Sequence, residues 1–134
     1  MATSFEATFP STPPGVGALR REVAAFADRC GMHADGVEAV RLAVSEAATN
    51  AVVHAYRHQP GDLAVRASVS EGELLIVVCD TGVGLSPRPD SPGLGLGMPL
   101  IASVTSRFRV VSGEAGTEVH MTFPLVAGDA GAPA

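Results

Sequence analysis

The chain has 134 residues, 46% of them apolar, which is the length of one domain and enough apolar surface for one core. Aromatic residues make up 4% and Trp is absent, so small aliphatic side chains must fill that core, and a base-stacking platform for nucleic acid gains no support. The net charge is −5 and all nine basic residues are arginines, scattered from Arg20 to Arg109; this argues against a phosphate-tracking surface, and the absence of lysine excludes a P-loop nucleotide site.

In chain order, Ser4 to Phe9 alternates weakly before Pro10 and Pro13-Pro14-Gly15, which predicts a short strand and a turn. Val16, Leu19, Val23 and Phe26 recur at helical spacing and Gly31 supplies a stop, so a helix is expected from Val16 to Cys30, with Arg20 and Arg21 on its more exposed side. Asp35 precedes Glu38 by three residues, a capping-box pattern. From Gly36 to Tyr56 no proline or internal glycine interrupts a second, longer helix.

Leu63 to Val69 alternates, Glu71-Gly72 turns, and Leu74 to Val78 is a continuous apolar run ending in Cys79-Asp80, which together read as a hairpin with a central, buried second strand. Residues 81 to 97 are too rich in glycine and proline for regular structure and read as a mobile loop. A short helix over Met98 to Ser106 follows, then strands Phe108 to Ser112 and Glu118 to Phe123 around the turn Gly113-Glu114-Ala115-Gly116. Residues 1–125 form the expected domain and 126–134 a disordered tail. The order βααββαββ predicts an α+β two-layer sandwich, a mixed, mostly antiparallel sheet with helices on one face.

Cys30 and Cys79 fit neither a metal motif nor a disulfide framework and read as two buried thiols in a reducing compartment. No apolar run approaches the roughly 20 residues of a membrane span, and no secretory leader pattern opens the chain, so a cytoplasmic location without membrane attachment is expected.

Three features carry chemistry. On the long helix Glu46, Asn50 and His54 recur every four residues and share one face, with Val37, Val40, Val44, Ala48, Ala51 and Ala55 roughly opposite and Ala39, Leu42 and Val53 around the polar stripe. A carboxylate among apolar neighbours is costly without a partner, so Glu46 either pairs with an arginine such as Arg41 or Arg57 or serves a ligand. At the end of the apolar strand, Asp80-Thr81-Gly82-Val83-Gly84 presents a fixed acceptor beside backbone that can be closely approached; the acceptor suits an exocyclic amine, although D-x-G-x-G is also a common turn. Gly93-Leu94-Gly95-Leu96-Gly97 precedes a predicted helix, where free amides and the helix dipole favour phosphate; the alternative is a flexible linker.

Spaced about 30 and 13 residues apart, these features resemble the N, G1 and G2 boxes of the GHKL, or histidine-kinase-like, ATP-binding superfamily. More narrowly, the stretch from Val44 to Tyr56, containing Ser45-Glu46-Ala47-Ala48-Thr49-Asn50, looks like the N box of the anti-sigma-factor serine/threonine protein kinases, with Gly116-Thr117 standing for their late Gly-Thr element. The resemblance covers about residues 4 to 125 and implies a Bergerat-type ATP-binding fold.

On matching positions it implies that Asn50 ligates a Mg²⁺ bridging the phosphates of ATP and that Glu46 is the general base toward a protein serine hydroxyl. Asp80 would accept from the adenine amine, Gly82 and Gly84 would let the base approach, and Thr117 would complete the adenine contact. Gly93, Leu94, Gly95, Leu96 and Gly97 would cradle the phosphates under a closing lid, with Arg88 the first arginine to test for contact with the transferring phosphoryl group.

The partners implied are a sigma factor and an anti-sigma-factor antagonist protein, with a homodimer as the assembly and Arg20 and Arg21 toward the partner. The chain departs from the pattern in Pro99, close after the glycine run, in the proline-rich lid with Pro87, Pro89 and Pro92, and in lacking a segment for a phosphoacceptor histidine. A second function fits the same nucleotide site: a non-catalytic module whose protein-binding surface responds to ATP, in which only Glu46 would have no task. A zinc site at His54 and His58 is disfavoured because no glutamate follows His54 as H-E-x-x-H demands, and His33 and His120 read as structural or surface residues.

Overall fold

The computed structural model describes residues 4–55, 61–81, 94–113 and 115–125. Strand β1 (Ser4–Pro10) leads into α1 (Pro13–Arg29) and α2 (Ala34–Asn50), which continues as one π-helical turn over Ala51–Ala55. Strands β2 (Asp62–Ser70) and β3 (Glu73–Asp80), helix α3 (Leu94–Val104), and strands β4 (Arg107–Gly113) and β5 (Gly116–Pro124) complete the predicted order.

The five strands form one sheet in the order β1-β2-β3-β5-β4, and every neighbouring pair is antiparallel. The sheet is therefore wholly antiparallel rather than mixed, because α3 and β4 loop out between β3 and β5 and the chain returns beside β3 in the opposite direction.

The β2–β3 hairpin turns at Glu71 and Gly72, both with positive φ (52° and 79°), a mirror-image turn that matches the strand twist. The inner faces of the strands, carrying Leu63, Val65 and Ala67 on β2, Leu74, Ile76 and Val78 on β3, and Val119, Met121 and Phe123 on β5, close over Leu19, Val23 and Phe26 of α1 and Val40 and Val44 of α2. Strand β3 is central, but its alternate residues Leu75, Val77 and Cys79 lie only half-buried on the other face. The continuous apolar run thus marks a strand covered by helices on one side only, a distinction run length cannot make.

Helix α1 begins at Pro13, three residues earlier than its apolar periodicity. Thr12 is its N-cap, with the side-chain oxygen accepting from the Gly15 amide at 3.1 Å, and Pro13 and Pro14 occupy the first turn, where a missing N–H costs nothing. The expected capping box on α2 does not form: His33 is the N-cap without a side-chain hydrogen bond, and Asp35 sits inside the first turn, where its charge complements the helix dipole. Glu38 instead pairs with Arg41 at 3.3 Å.

Helix α3 starts at Leu94, so Leu94, Gly95, Leu96 and Gly97 are helical rather than loop, and Pro99 falls inside the helix instead of in its first turn. Alternating leucines raise the helical tendency of a glycine run, and Pro99 removes only one backbone donor. Cys30 and Cys79 are free and half-buried rather than fully buried, and burial pushes the thiol of Cys79 up. Among the described residues, no helix is long and apolar enough to cross a membrane.

Candidate functional site

One line of paired residues crosses all five strands at the end of the sheet where β3 finishes. Phe9 lies opposite Leu63, Leu63 opposite Asp80, Asp80 opposite Thr117, and Thr117 opposite Ser112. The line grades from apolar through acid to hydroxyl. Leu63 is fully buried, Asp80 is 6% and Thr117 1% exposed, and Ser112 is exposed on the edge strand. A buried carboxylate is thus held between a leucine and a threonine on the helix-covered side of the sheet, with the Thr117 and Ser112 hydroxyls 3.1 Å apart.

Gly116 makes this approach of β5 to β3 feasible. Its φ is +127°, and a Cβ there would run into the Asp80 carbonyl oxygen and the Thr81 Cα. Gly116→Ala is expected to destabilise the domain by about 1–3 kcal/mol, through a disfavoured backbone and the displacement of Asp80, and a thermal melt compared with wild type checks it.

Helix α2 packs against β3, β5 and α3 and carries the second half of the site. Glu46 and Asn50 lie one turn apart. Asn50 is 7% exposed, and its Nδ2 is a buried side-chain polar atom without a hydrogen-bond partner. Buried amides are nearly always satisfied, so an orphaned one beside a helix end fits a site that completes itself with a ligand.

Glu46 is half-buried and has no hydrogen bond or ion pair among the described residues. Arg41, the arginine that could have neutralised it, is engaged by Glu38, and Arg57 lies outside the described residues. Around Glu46 the helix is not apolar and buried: Leu42 is 39% and Val53 37% exposed. Glu46 is therefore partly open to solvent while Asn50, one turn on, is buried. Arg20 of α1 reaches across to Ser45 at 3.4 Å, while Arg21 is exposed.

The α-helical ladder ends at Asn50, and the π turn over Ala51–Ala55 changes the rotation per residue. The regular four-residue step from Glu46 ends at Asn50, and the side chain of His54 lies outside the described residues. π turns are uncommon and occur often at functional sites. Nothing in Ala51-Val52-Val53-His54-Ala55 signals it, since there is no glycine or proline and one inserted residue leaves no periodicity to read. Ser112 is likewise absent from any motif, and only strand register identifies it.

Gly82, Gly84, Arg88 and Gly93 lie outside the described residues, as do the lid prolines, His58 and the expected tail. Gly95 and Gly97 fall in the first turn of α3, where unpaired amide groups belong. His120 pairs with Glu118 at 2.9 Å on the helix-free face of the sheet, a surface role away from Asp80.

Residues 9–123 match the family described as the histidine kinase-like ATPase domain. The chain is similar to the serine-protein kinase RsbW of Bacillus licheniformis, 33% identical with 90% of this chain and 85% of the relative covered. It is also similar to that of Bacillus velezensis, 34% identical with 91% and 88% covered. Among solved structures, the RsbU and RsbW domains of a Mycobacterium tuberculosis protein superpose with a TM-score of 0.75 at 21% identity, over 92% of this chain and 32% of that one. The histidine kinase domain of a blue-light activated histidine kinase from Erythrobacter litoralis superposes at 0.59 and 28% identity, over 82% and 61%.

Proposed function

Because the chain belongs to the histidine kinase-like ATPase family, on the branch of the serine-protein kinases, we propose that it passes the γ-phosphoryl group of ATP to a serine or threonine of an anti-sigma-factor antagonist. In the same reading it sequesters a sigma factor and works in the cytoplasm as a homodimer. The observation that carries the reading is the pair on α2: a half-exposed Glu46 without a partner among the described residues, one turn from a buried Asn50 with an orphaned amide.

Asn50 holds Mg²⁺ through its amide oxygen, a suitable hard ligand. An amide's oxygen and nitrogen exchange places by a flip of the side chain, so Asn50 could present its oxygen where the orphaned Nδ2 now stands. Asp80 accepts from the adenine amine, with Thr117 beside it completing the base contact. Gly82 and Gly84 let the base approach, and Gly93, Leu94, Gly95, Leu96 and Gly97 supply backbone amides to the phosphates at the start of α3. Bound Mg-ATP supplies the electrophilic phosphorus and the charge neutralisation that a lysine-free chain does not offer.

Glu46 takes the proton of the acceptor hydroxyl as the hydroxyl oxygen bonds to the γ-phosphorus and ADP departs with the electrons of the broken P–O bond. Exposed Leu42, one turn before Glu46 on α2, suits a protein rather than water as the acceptor. The test is transfer of labelled γ-phosphate from Mg-ATP to a candidate antagonist by the purified chain; a serine-labelled antagonist supports the reading, and nucleotide binding without any transfer overturns it. Sedimentation with nucleotide present checks the assembly, and a monomer at micromolar concentration would remove the homodimer.

A further inference from the structure

We propose that the face of the sheet turned away from α1 and α2 is the homodimer interface, packed against the same face of a second copy about a two-fold axis that runs along β3. The inference rests on the homodimer proposed above and assigns the surface that makes it.

Strand register lays this face out in rows that cross the whole sheet. The middle row reads Glu6, Arg66, Val77, His120 and Arg109, from β1 through β2, β3 and β5 to β4. The central column, on β3, is Leu75, Val77 and Cys79, each half-buried. Beside it, toward β4, a groove of about 650 Å³ opens over Leu75 and Val77, with Arg107, Arg109 and His120 along it. Glu6 and Arg109, the exposed ends of the row, make no ion pair among the described residues.

A half-open apolar column between two edges of unlike charge fits a partner that carries the same column and the reversed charges. A second copy of this chain is such a partner. A two-fold axis along β3 carries β1 onto β4 of the other copy and β2 onto β5. Leu75, Val77 and Cys79 then meet their own counterparts, and Glu6 meets Arg109 of the second copy at both edges. Arg66 comes over His120 of the second copy. Glu118, which lies 2.9 Å from His120 and 4.0 Å from Arg66 in its own chain, keeps a carboxylate between those basic side chains. A two-fold along the middle row instead would set Glu6 over Glu6 and Arg109 over Arg109, and both contacts oppose it.

Two sheets stacked with their strands within about 30° of one another is a common sandwich packing. Five strands about 4.8 Å apart, the outermost of seven residues at about 3.4 Å each, make a patch of roughly 24 by 24 Å. Both copies together would bury about 1,200 Å², the lower end for a specific complex. Asp80, which alternates with Cys79 along β3, lies on the helix-covered side, so each copy keeps its nucleotide site open.

The experiment is sedimentation equilibrium of wild type, Glu6→Arg, Arg109→Glu and the double variant Glu6→Arg/Arg109→Glu at one salt concentration, with circular dichroism to check folding. Each single reversal sets like charges together at both edges and is expected to weaken the dimer about tenfold, and the double reversal is expected to restore it. Within one chain the two residues stand four strand spacings apart, about 19 Å, beyond the screening length of about 8 Å at physiological salt. Rescue can therefore come only from contact between copies. Independently of charge, a short bis-maleimide is expected to join the wild-type dimer through Cys79: Cys79→Ser should abolish the cross-link and Cys30→Ser should keep it. Single reversals that dimerise like wild type, a double reversal that stays weak, or the absence of a cross-link through Cys79 would overturn the inference and place the interface elsewhere, with the homodimer still standing. A wild-type protein that is monomeric at micromolar concentration overturns the homodimer itself and the inference with it.

Discussion

Glu46→Gln is expected to lower phosphoryl transfer to a protein serine by about 10²–10⁴-fold while leaving ATP affinity little changed. Glutamine preserves the size of the side chain and its ability to hydrogen-bond, but it cannot take a proton at neutral pH, so the substitution isolates the base role. The position favours a clean result. Glu46 makes no hydrogen bond or ion pair among the described residues, so no network collapses when its charge is removed, and it is only half-buried. A helix, rather than a loop, carries it, with Val44, Ala47 and Ala48 fixing that helix in the core. The loss should therefore appear in kcat with the KM for ATP unchanged, the pattern of an interaction made only in the transition state. Single-turnover transfer from Mg-ATP to the antagonist reads it directly. A rate equal to wild type would take Glu46 out of the chemistry and leave a nucleotide-gated binding surface as the surviving function.

Much of this architecture is legible in the residues, for reasons that can be named. Strand alternation and helical spacing are one-dimensional signals of burial, so all eight elements follow from Leu, Val and Ala positions, with ends displaced by a few residues where capping decides. Thr12-Pro13-Pro14 opens α1 before its first apolar contact. What is hidden depends on the third dimension. The apolar run in β3 does not say that Leu75 and Val77 are only half-buried, on the face turned away from α1 and α2. The pairing of Asp80 with Thr117 and Ser112 joins residues more than thirty apart in the chain and arises from register. The π turn after Asn50 leaves no trace at all in composition. Glycine content misleads at Gly95 and Gly97: glycine is read as a loop former, yet a helix whose first amides are to stay open tolerates it there.

Replacing the polar side chains of the pocket should separate binding from folding, and here Asp80 and Asn50 are expected to behave differently. Asp80→Asn substitutes a neutral amide for a charged acceptor and should weaken Mg-ATP binding by about 10- to 150-fold, the 1.5–3 kcal/mol of a hydrogen bond to a charged group. Asp80 also has interactions within the protein and is 6% exposed, so some loss of thermal stability is expected alongside. Asn50→Ala should remove binding without that cost. Its Nδ2 is buried and unsatisfied, a group the folded chain carries at a penalty, so the nucleotide-free variant should melt at the wild-type temperature or above it. ATP at 100 times its dissociation constant stabilises a protein by about 2.7 kcal/mol; wild type should show that shift in its melting temperature and Asn50→Ala should not. Residues kept for packing lose stability when truncated, whereas residues kept for a ligand lose only the ligand's contribution. An Asn50→Ala protein that melts well below wild type while retaining the ATP-induced shift would place Asn50 in the first class and remove it from the nucleotide site.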